Sequence, residues 1–396
     1  MNEKLLKKNT FPKKISGKTG DFYLFGEPKA VSSNENMDEF IERSWFTGFC
    51  NESEIDRILN PQNGNDYILQ KRANIVADNA RFTRVYCAKA RSSKNWSFEK
   101  SFAISHYNNF LKSLSNKDKA LCEQISFGNM FSDDLNGYAE NNQKFGKIIY
   151  LNESLYYFIY YMSLALLNFE IEIPYNIRMN SLRIAMRIFL KTEAMDFSLD
   201  PRGKVPNKIS KKIKKNIAWQ LQFIVGHEFS HHLCNHLDKR NLIRLPFYTS
   251  IDGIKYESEF FNLDQKKEFE ADINSLMLPK YNKFQFQEVY SSSLLWFIFL
   301  DVGESMMNQI RPSFHSYRTH PNPLDRLVKI LEEVPKPDGF DKSGIDLVLQ
   351  TSELFKDFLL EDLSLNCEAF ETYGSAYLDE PNTDWRGRKL FDRVDY

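Results

Sequence analysis

The chain has almost no net charge. Its 52 lysines and arginines are balanced by 53 aspartates and glutamates, so composition gives no electrostatic case for nucleic acid or an anionic membrane as the main partner. It also lacks a long apolar run. The longest, Leu155 to Phe169 (LYYFIYYMSLALLNF), contains Ser163 and Asn168. It falls short of the ~20 residues that span a bilayer, so a buried helix is expected there and no transmembrane span. Cysteine is sparse: Cys50, Cys87, Cys122, Cys234 and Cys367 are odd in number and scattered, with no CxxC pair. That excludes a paired-thiolate zinc site and a disulfide framework, and fits a reducing compartment. Met1 to Lys18 carries six lysines but no apolar run behind them, which does not match a secretory leader. A cytoplasmic location is expected on both counts. Internal repeats and low-complexity tracts are missing as well.

What is there describes a folded protein. The 42% hydrophobic and 14% aromatic content over 396 residues supports a sizeable core and argues against disorder. Three regions are expected. Residues 1–140 mix polar loops with short β-like runs, such as Phe22 to Phe25 and Phe82 to Cys87, and show no recognisable chemistry. Residues 141–340 carry the clearest patterning, and residues 341–396 are acidic, with 13 acids against 6 bases, and partly helical. In the middle region Lys147 to Leu151 reads as a strand entering the apolar helix, and Pro201 to Asn207 as a loop. A long helix follows, with Ile209, Ile213, Ile217, Leu221, Ile224 and Val225 at three- and four-residue spacing. Lys211, Lys212, Lys214 and Lys215 fill its other side, as a solvated face. Phe247 to Ser258 reads as a hairpin turning at Asp252-Gly253. The expected fold class is α+β, mainly helical, with a small sheet beside the long helix.

That helix carries Gly226-His227-Glu228-Phe229-Ser230-His231, an HExxH. A four-residue step is about one helical turn, so both imidazoles project from one face and can share a metal ion, with Glu228 beside them to act on a bound water. His232 and His236 are also four apart but lack the glutamate; they read as core histidines or as partners behind the ligands. A metzincin site needs HExxHxxGxxH. Cys234 and Leu237 stand where the glycine and third histidine belong, which rejects that class. Lys267-Glu268-Phe269-Glu270-Ala271-Asp272 offers another completion. It reads as a second helix, whose stripe is Phe269, Ile273, Leu276 and Met277. Glu268 and Asp272 lie one turn apart, so one carboxylate can ligate zinc while the other orients a ligating histidine. Ala271 and Ser275 leave room for close packing. Further on, Asn322 is a good N-cap and Pro323 a good first residue for a third helix. His320 and Arg326 flank its start, placed to meet an anionic intermediate.

HEFSHHLCNH, EFEAD and THPNPLDRL occur here in the order HExxHxxxxH, ExxxD, HPxxxxR. Over residues 145 to 335 the chain therefore resembles the gluzincin metallopeptidase family of HtpX heat-shock proteases and CAAX prenyl endopeptidases. The resemblance implies a zincin-like fold and a zinc ion held by His227, His231 and Glu268. It further implies Glu228 as general base, Asp272 behind the ligands, and His320 and Arg326 near the substrate. Members of that family are often membrane-embedded, which this sequence does not match. Glu268 to Pro279 also resembles the ImmA/IrrE group, which cleaves transcriptional repressors, and phage-exclusion proteases of the Lit type are soluble HExxH enzymes. The expected activity is zinc-dependent endopeptidase action on an intracellular protein or peptide. The alternative is a zinc-binding regulatory or interaction protein on a protease scaffold without turnover.

Overall fold

The periodicity that begins at Ile209 becomes a helix of 27 residues, Asn207–Leu233, and the other elements are arranged around it. A computed structural model describes residues 37–237, 265–310, 321–371 and 392–395, together with six strands outside those ranges. In chain order the elements are β1 (Lys13–Gly17), β2 (Gly20–Leu24), α1 (Met37–Ser44), α2 (Glu52–Leu59), α3 (Gly64–Asp78), α4 (Ala80–Ser92), α5 (Ser105–Ser113) and α6 (Asn116–Cys122). Then come β3 (Ser126–Met130), β4 (Gly137–Asn142), β5 (Gly146–Asn152), α7 (Ser154–Leu166), α8 (Tyr175–Phe189) and α9 (Asn207–Leu233). The remainder is β6 (Leu242–Phe247), β7 (Tyr256–Phe261), α10 (Gln265–Met277), α11 (Lys283–Ile310), α12 (Pro323–Glu333), α13 (Lys342–Leu365), β8 (Asp384–Trp385) and β9 (Arg388–Lys389). The fold is α+β and mainly helical.

The sheet that matters for the site has the order β3-β5-β4, with β3 parallel and β4 antiparallel to the central β5. β5 contains Lys147–Leu151 and leads directly into α7, the apolar helix, ten of whose residues are buried. Among the described residues no helix is long and apolar enough to cross a membrane. α9 changes character along its length. Its first half is amphipathic: Ile209, Ile213 and Ile217 are buried, Lys212 pairs with Glu170 at 2.8 Å and Lys215 with Glu288 at 2.9 Å. From Gln220 to His232 every residue is buried, because α5, α7, α10, α11 and the sheet surround that half.

Two readings of the sequence need correction. Phe82 to Cys87 is helical, inside α4. Its aromatic and β-branched residues resemble a strand, but Phe82, Val85 and Tyr86 are the buried ones, and that spacing lines one helix face. The described residues before 140 are accordingly mainly helical. The residues Phe247 to Ser258 also hold less of the hairpin than expected. Phe247 pairs with Tyr256, and the ladder runs away from the loop to Leu242 opposite Phe261. The turn at Asp252-Gly253 lies outside the described residues.

α13 packs along α11, and the end of the chain is held by buried ion pairs. Arg187 of α8 donates from Nε to Glu193 at 2.9 Å and from Nη1 to Asp392 at 2.6 Å, and Arg202 Nη2 donates to Glu193 at 2.6 Å. Burial disfavours the Glu193 charge, but the two guanidiniums outweigh it and leave the carboxyl below its ordinary range.

Candidate metal centre

Glycine at 226 decides how close α10 can approach α9. A Cβ there would sit 2.7 Å from the Phe110 ring and 3.0 Å from Ser275 Cβ. With Ala271 and Ser275 both buried on the facing side, the two helices meet through small residues. The buried face of α10 is not the apolar stripe expected from Phe269, Ile273, Leu276 and Met277. It carries Glu268, Ala271, Asp272, Ser275 and Leu276, while Met277 is exposed. Burying two carboxylates at a helix–helix contact is costly unless something charged meets them.

Histidines and an arginine meet them. His227 Nε2 lies 3.0 Å from His231 Nε2 and 3.5 Å from Glu268 Oε2, and His231 Nε2 lies 3.4 Å from Glu268 Oε1. Donors about 2.1 Å from a tetrahedral zinc stand roughly 3.4 Å from one another, so this buried triangle has the edge lengths of a zinc ligand set. On the far side of the ring, His227 Nδ1–H donates to Asp272 Oδ1 at 2.8 Å, which leaves Nε2 as the nitrogen that faces the triangle. Burial opposes a charge on His227, yet Asp272 and Glu268 outweigh it and push its pKa up to about 10.

Arg326 is buried between Asp272 and the cleft that His227 and Glu228 also line. As expected, α12 starts with Asn322 accepting from Leu324 N–H and Pro323 in the first turn. The guanidinium, however, forks onto Asp272, with Nε at 2.7 Å from Oδ2 and Nη2 at 2.6 Å from Oδ1, and it lies over the Phe297 ring. It is a positioning residue: Arg326 holds Asp272, and Asp272 holds His227. His320 lies outside the described residues.

Glu228 is buried at the edge of a cleft of about 280 Å³, which His227 also lines. Burial is the main cause that pushes its carboxyl up to about 7, with His227 pulling the other way. Phe189, Phe223, Trp296 and Leu300 form apolar walls, and Lys191 and Glu304 add charge. The other walls are the start of α12, with Pro321, Pro323 and Arg326, and the segment Asp134 to Gly137, from the part of the chain where the sequence offers no chemistry. Gly137, the first residue of β4, approaches so closely that a Cβ would lie 2.7 Å from Glu228 Oε1. β4 is an edge of the three-stranded sheet.

The two other histidines of the HExxH segment take separate roles. His232 Nε2–H donates to the Ile148 carbonyl of β5 at 3.2 Å, and burial lowers its pKa to about 4. His236 sits beneath His231, with its Nδ1 3.0 Å from His231 Nδ1. Of the residues singled out in the sequence, His227, Glu228, His231, Glu268, Asp272 and Arg326 therefore come together. Comparison with protein-family models, curated proteins and solved structures finds no match to this chain.

Proposed function

We propose that the chain is a zinc-dependent endopeptidase of the gluzincin type, acting on an intracellular protein. The observation that carries this reading is the triangle of His227 Nε2, His231 Nε2 and Glu268 oxygens, with edges of 3.0 to 3.5 Å, beside a cleft that Glu228 lines. Three protein donors form the cluster among the described residues. A structural zinc takes four, and a catalytic one takes three and leaves a position open. When bound, the ion supplies a Lewis acid and makes water acidic enough to lose a proton near neutral pH.

The chain's own residues account for the remaining steps. Glu228 accepts the proton of the attacking water at a carboxylate oxygen and returns it to the leaving amine, a contribution of typically ~10²–10⁴-fold. Its burial supports this role, because a carboxylate with an ordinary pKa is a weak base at neutral pH. Asp272 and Arg326 fix the ring of His227. The edge of β4 offers main-chain groups to an extended peptide, and the apolar walls favour a large hydrophobic side chain near the scissile bond. Five free cysteines fit a cytoplasmic location.

Glu228→Gln is the test. The variant is expected to keep its zinc and to lose at least ~10²-fold in cleavage of an unfolded protein substrate. Undiminished cleavage by Glu228→Gln would sink the assignment.

A further inference from the structure

We propose that Cys234, His236 and Glu270 form a second, solvent-facing site for a borderline or soft divalent cation such as zinc or cadmium. The site is coupled to the buried triangle through His236. It is built by the way α9 ends. Asn235 adopts the left-handed conformation, with φ of 56°, one of the few residues besides glycine that enters it readily. His236 N–H then bonds to the His231 carbonyl at 2.9 Å and Asn235 N–H to the His232 carbonyl at 3.3 Å. These two bonds are the Schellman closure of a helix. They fold His236 back beneath His231 and leave the Cys234 thiol beside it.

α10 supplies the third donor. Glu270 lies two residues past Glu268 and faces outward; its Oε2 stands 3.2 Å from His236 Nε2. The ligand atoms of Cys234, His236 and Glu270 all lie within 4.8 Å of one another. Burial and the Glu270 carboxylate push the Cys234 thiol up to about 11, and Asn274 Nδ2, which donates to Sγ at 3.1 Å, pulls the other way. Cys234 is half-buried and the Glu270 side chain is 57% exposed, so a cation reaches the cluster from solvent without opening the fold. One sulfur, one imidazole nitrogen and one carboxylate oxygen suit zinc or cadmium and not magnesium or calcium. Binding releases the thiol proton to solvent.

The coupling follows from the two bonds of His236. Its Nδ1 faces His231 Nδ1 and its Nε2 faces Glu270. A cation on Nε2 draws electron density from the ring that His231 leans on and takes Glu270 away from it. Zinc at the inner site is then held less firmly, and the antagonism is reciprocal. This second half rests on His231 being a ligand of the inner ion.

Cadmium titration of the full chain, read by the thiolate-to-cadmium charge-transfer band, tests the outer site, because the inner triangle has no sulfur. The band is expected in the native chain and, at no higher cadmium, in His227→Ala, where no inner ion opposes it. It should be lost in Cys234→Ser and need at least ~10-fold more cadmium in Glu270→Gln, an exposed substitution that spares the fold. A band that survives Cys234→Ser, through another thiol such as the exposed Cys367, overturns the proposal, as does its absence from the folded native chain. For the coupling, filling the outer site should make inner zinc severalfold easier to remove with a chelator in the native chain but not in Cys234→Ser. Equal removal from both refutes it. If zinc uptake is the same in His227→Ala as in the native chain, the inner site is what fails, and the cadmium band still decides the outer one.

Discussion

Arg326→Met separates two roles that look alike in the sequence. Methionine keeps an unbranched side chain over Phe297 but removes the fork that grips Asp272 at 2.6 and 2.7 Å. Asp272 is then left buried with its main cation gone, and breaking one half of a buried pair costs about 3–5 kcal/mol of stability. His227 also loses the anchor that fixes its ring. Loss of such a partner behind a ligand typically costs ~10–100-fold in metal affinity, or about 1.4–2.7 kcal/mol. Zinc affinity by competition with a chromophoric chelator, and thermal unfolding of the metal-loaded protein, read the two effects. Asp272→Asn should fall in the same range on both. The double variant should lose less than the two single losses together, because both residues belong to one network. Unchanged zinc affinity and stability, with only turnover reduced, would instead put Arg326 on the substrate and refute the positioning role.

Gly226→Ala should destabilise the protein by about 1–3 kcal/mol, less the smaller gain from alanine's helix propensity, because its Cβ meets Phe110 and Ser275. Pushing α10 away should also weaken zinc; a denaturant midpoint and zinc affinity both at native values would contradict the close approach of the helices. Acid should destabilise the fold well above the carboxylate range. Burial lowers both His106 and His232 to about 4 from an ordinary 6.5, so the unfolded chain takes up protons first as pH falls. Their contribution is complete above pH ~6.5 and is lost towards pH ~4, at most about 3 kcal/mol for each. The urea midpoint followed over that range should fall, and more gently in His106→Gln; a flat profile would remove this cause.

Local spacing made the centre of the site legible. His227, Glu228 and His231 share one helical turn, Glu268 and Asp272 share another, and Asn322-Pro323 marks a helix start; each is a property of a few adjacent residues. What spacing does not carry is which face another element covers. In α10 the apolar residues and the carboxylates mark two faces, and the buried one carries the two carboxylates, because His227, His231 and Arg326 compensate them there. The partner of Arg326 depends on α12 crossing α10, 54 residues away in sequence, and no local signal marks it. Nor does any signal mark Gly137, whose place beside Glu228 depends on β4 pairing with β5. Phe82 to Cys87 was misread because β-type residues can also recur at helical spacing, and burial of Phe82, Val85 and Tyr86 on one side settles it as a helix. His236 was legible as a residue behind the ligands, but its place beneath His231 follows from the left-handed Asn235, which spacing alone does not reveal.

Elemental analysis of the native protein and of His231→Ala shows whether His227, His231 and Glu268 hold a zinc ion. About one tightly held zinc per chain, lost in the variant, is expected. A folded native protein, prepared without chelators, that neither contains zinc nor takes it up would contradict the assignment.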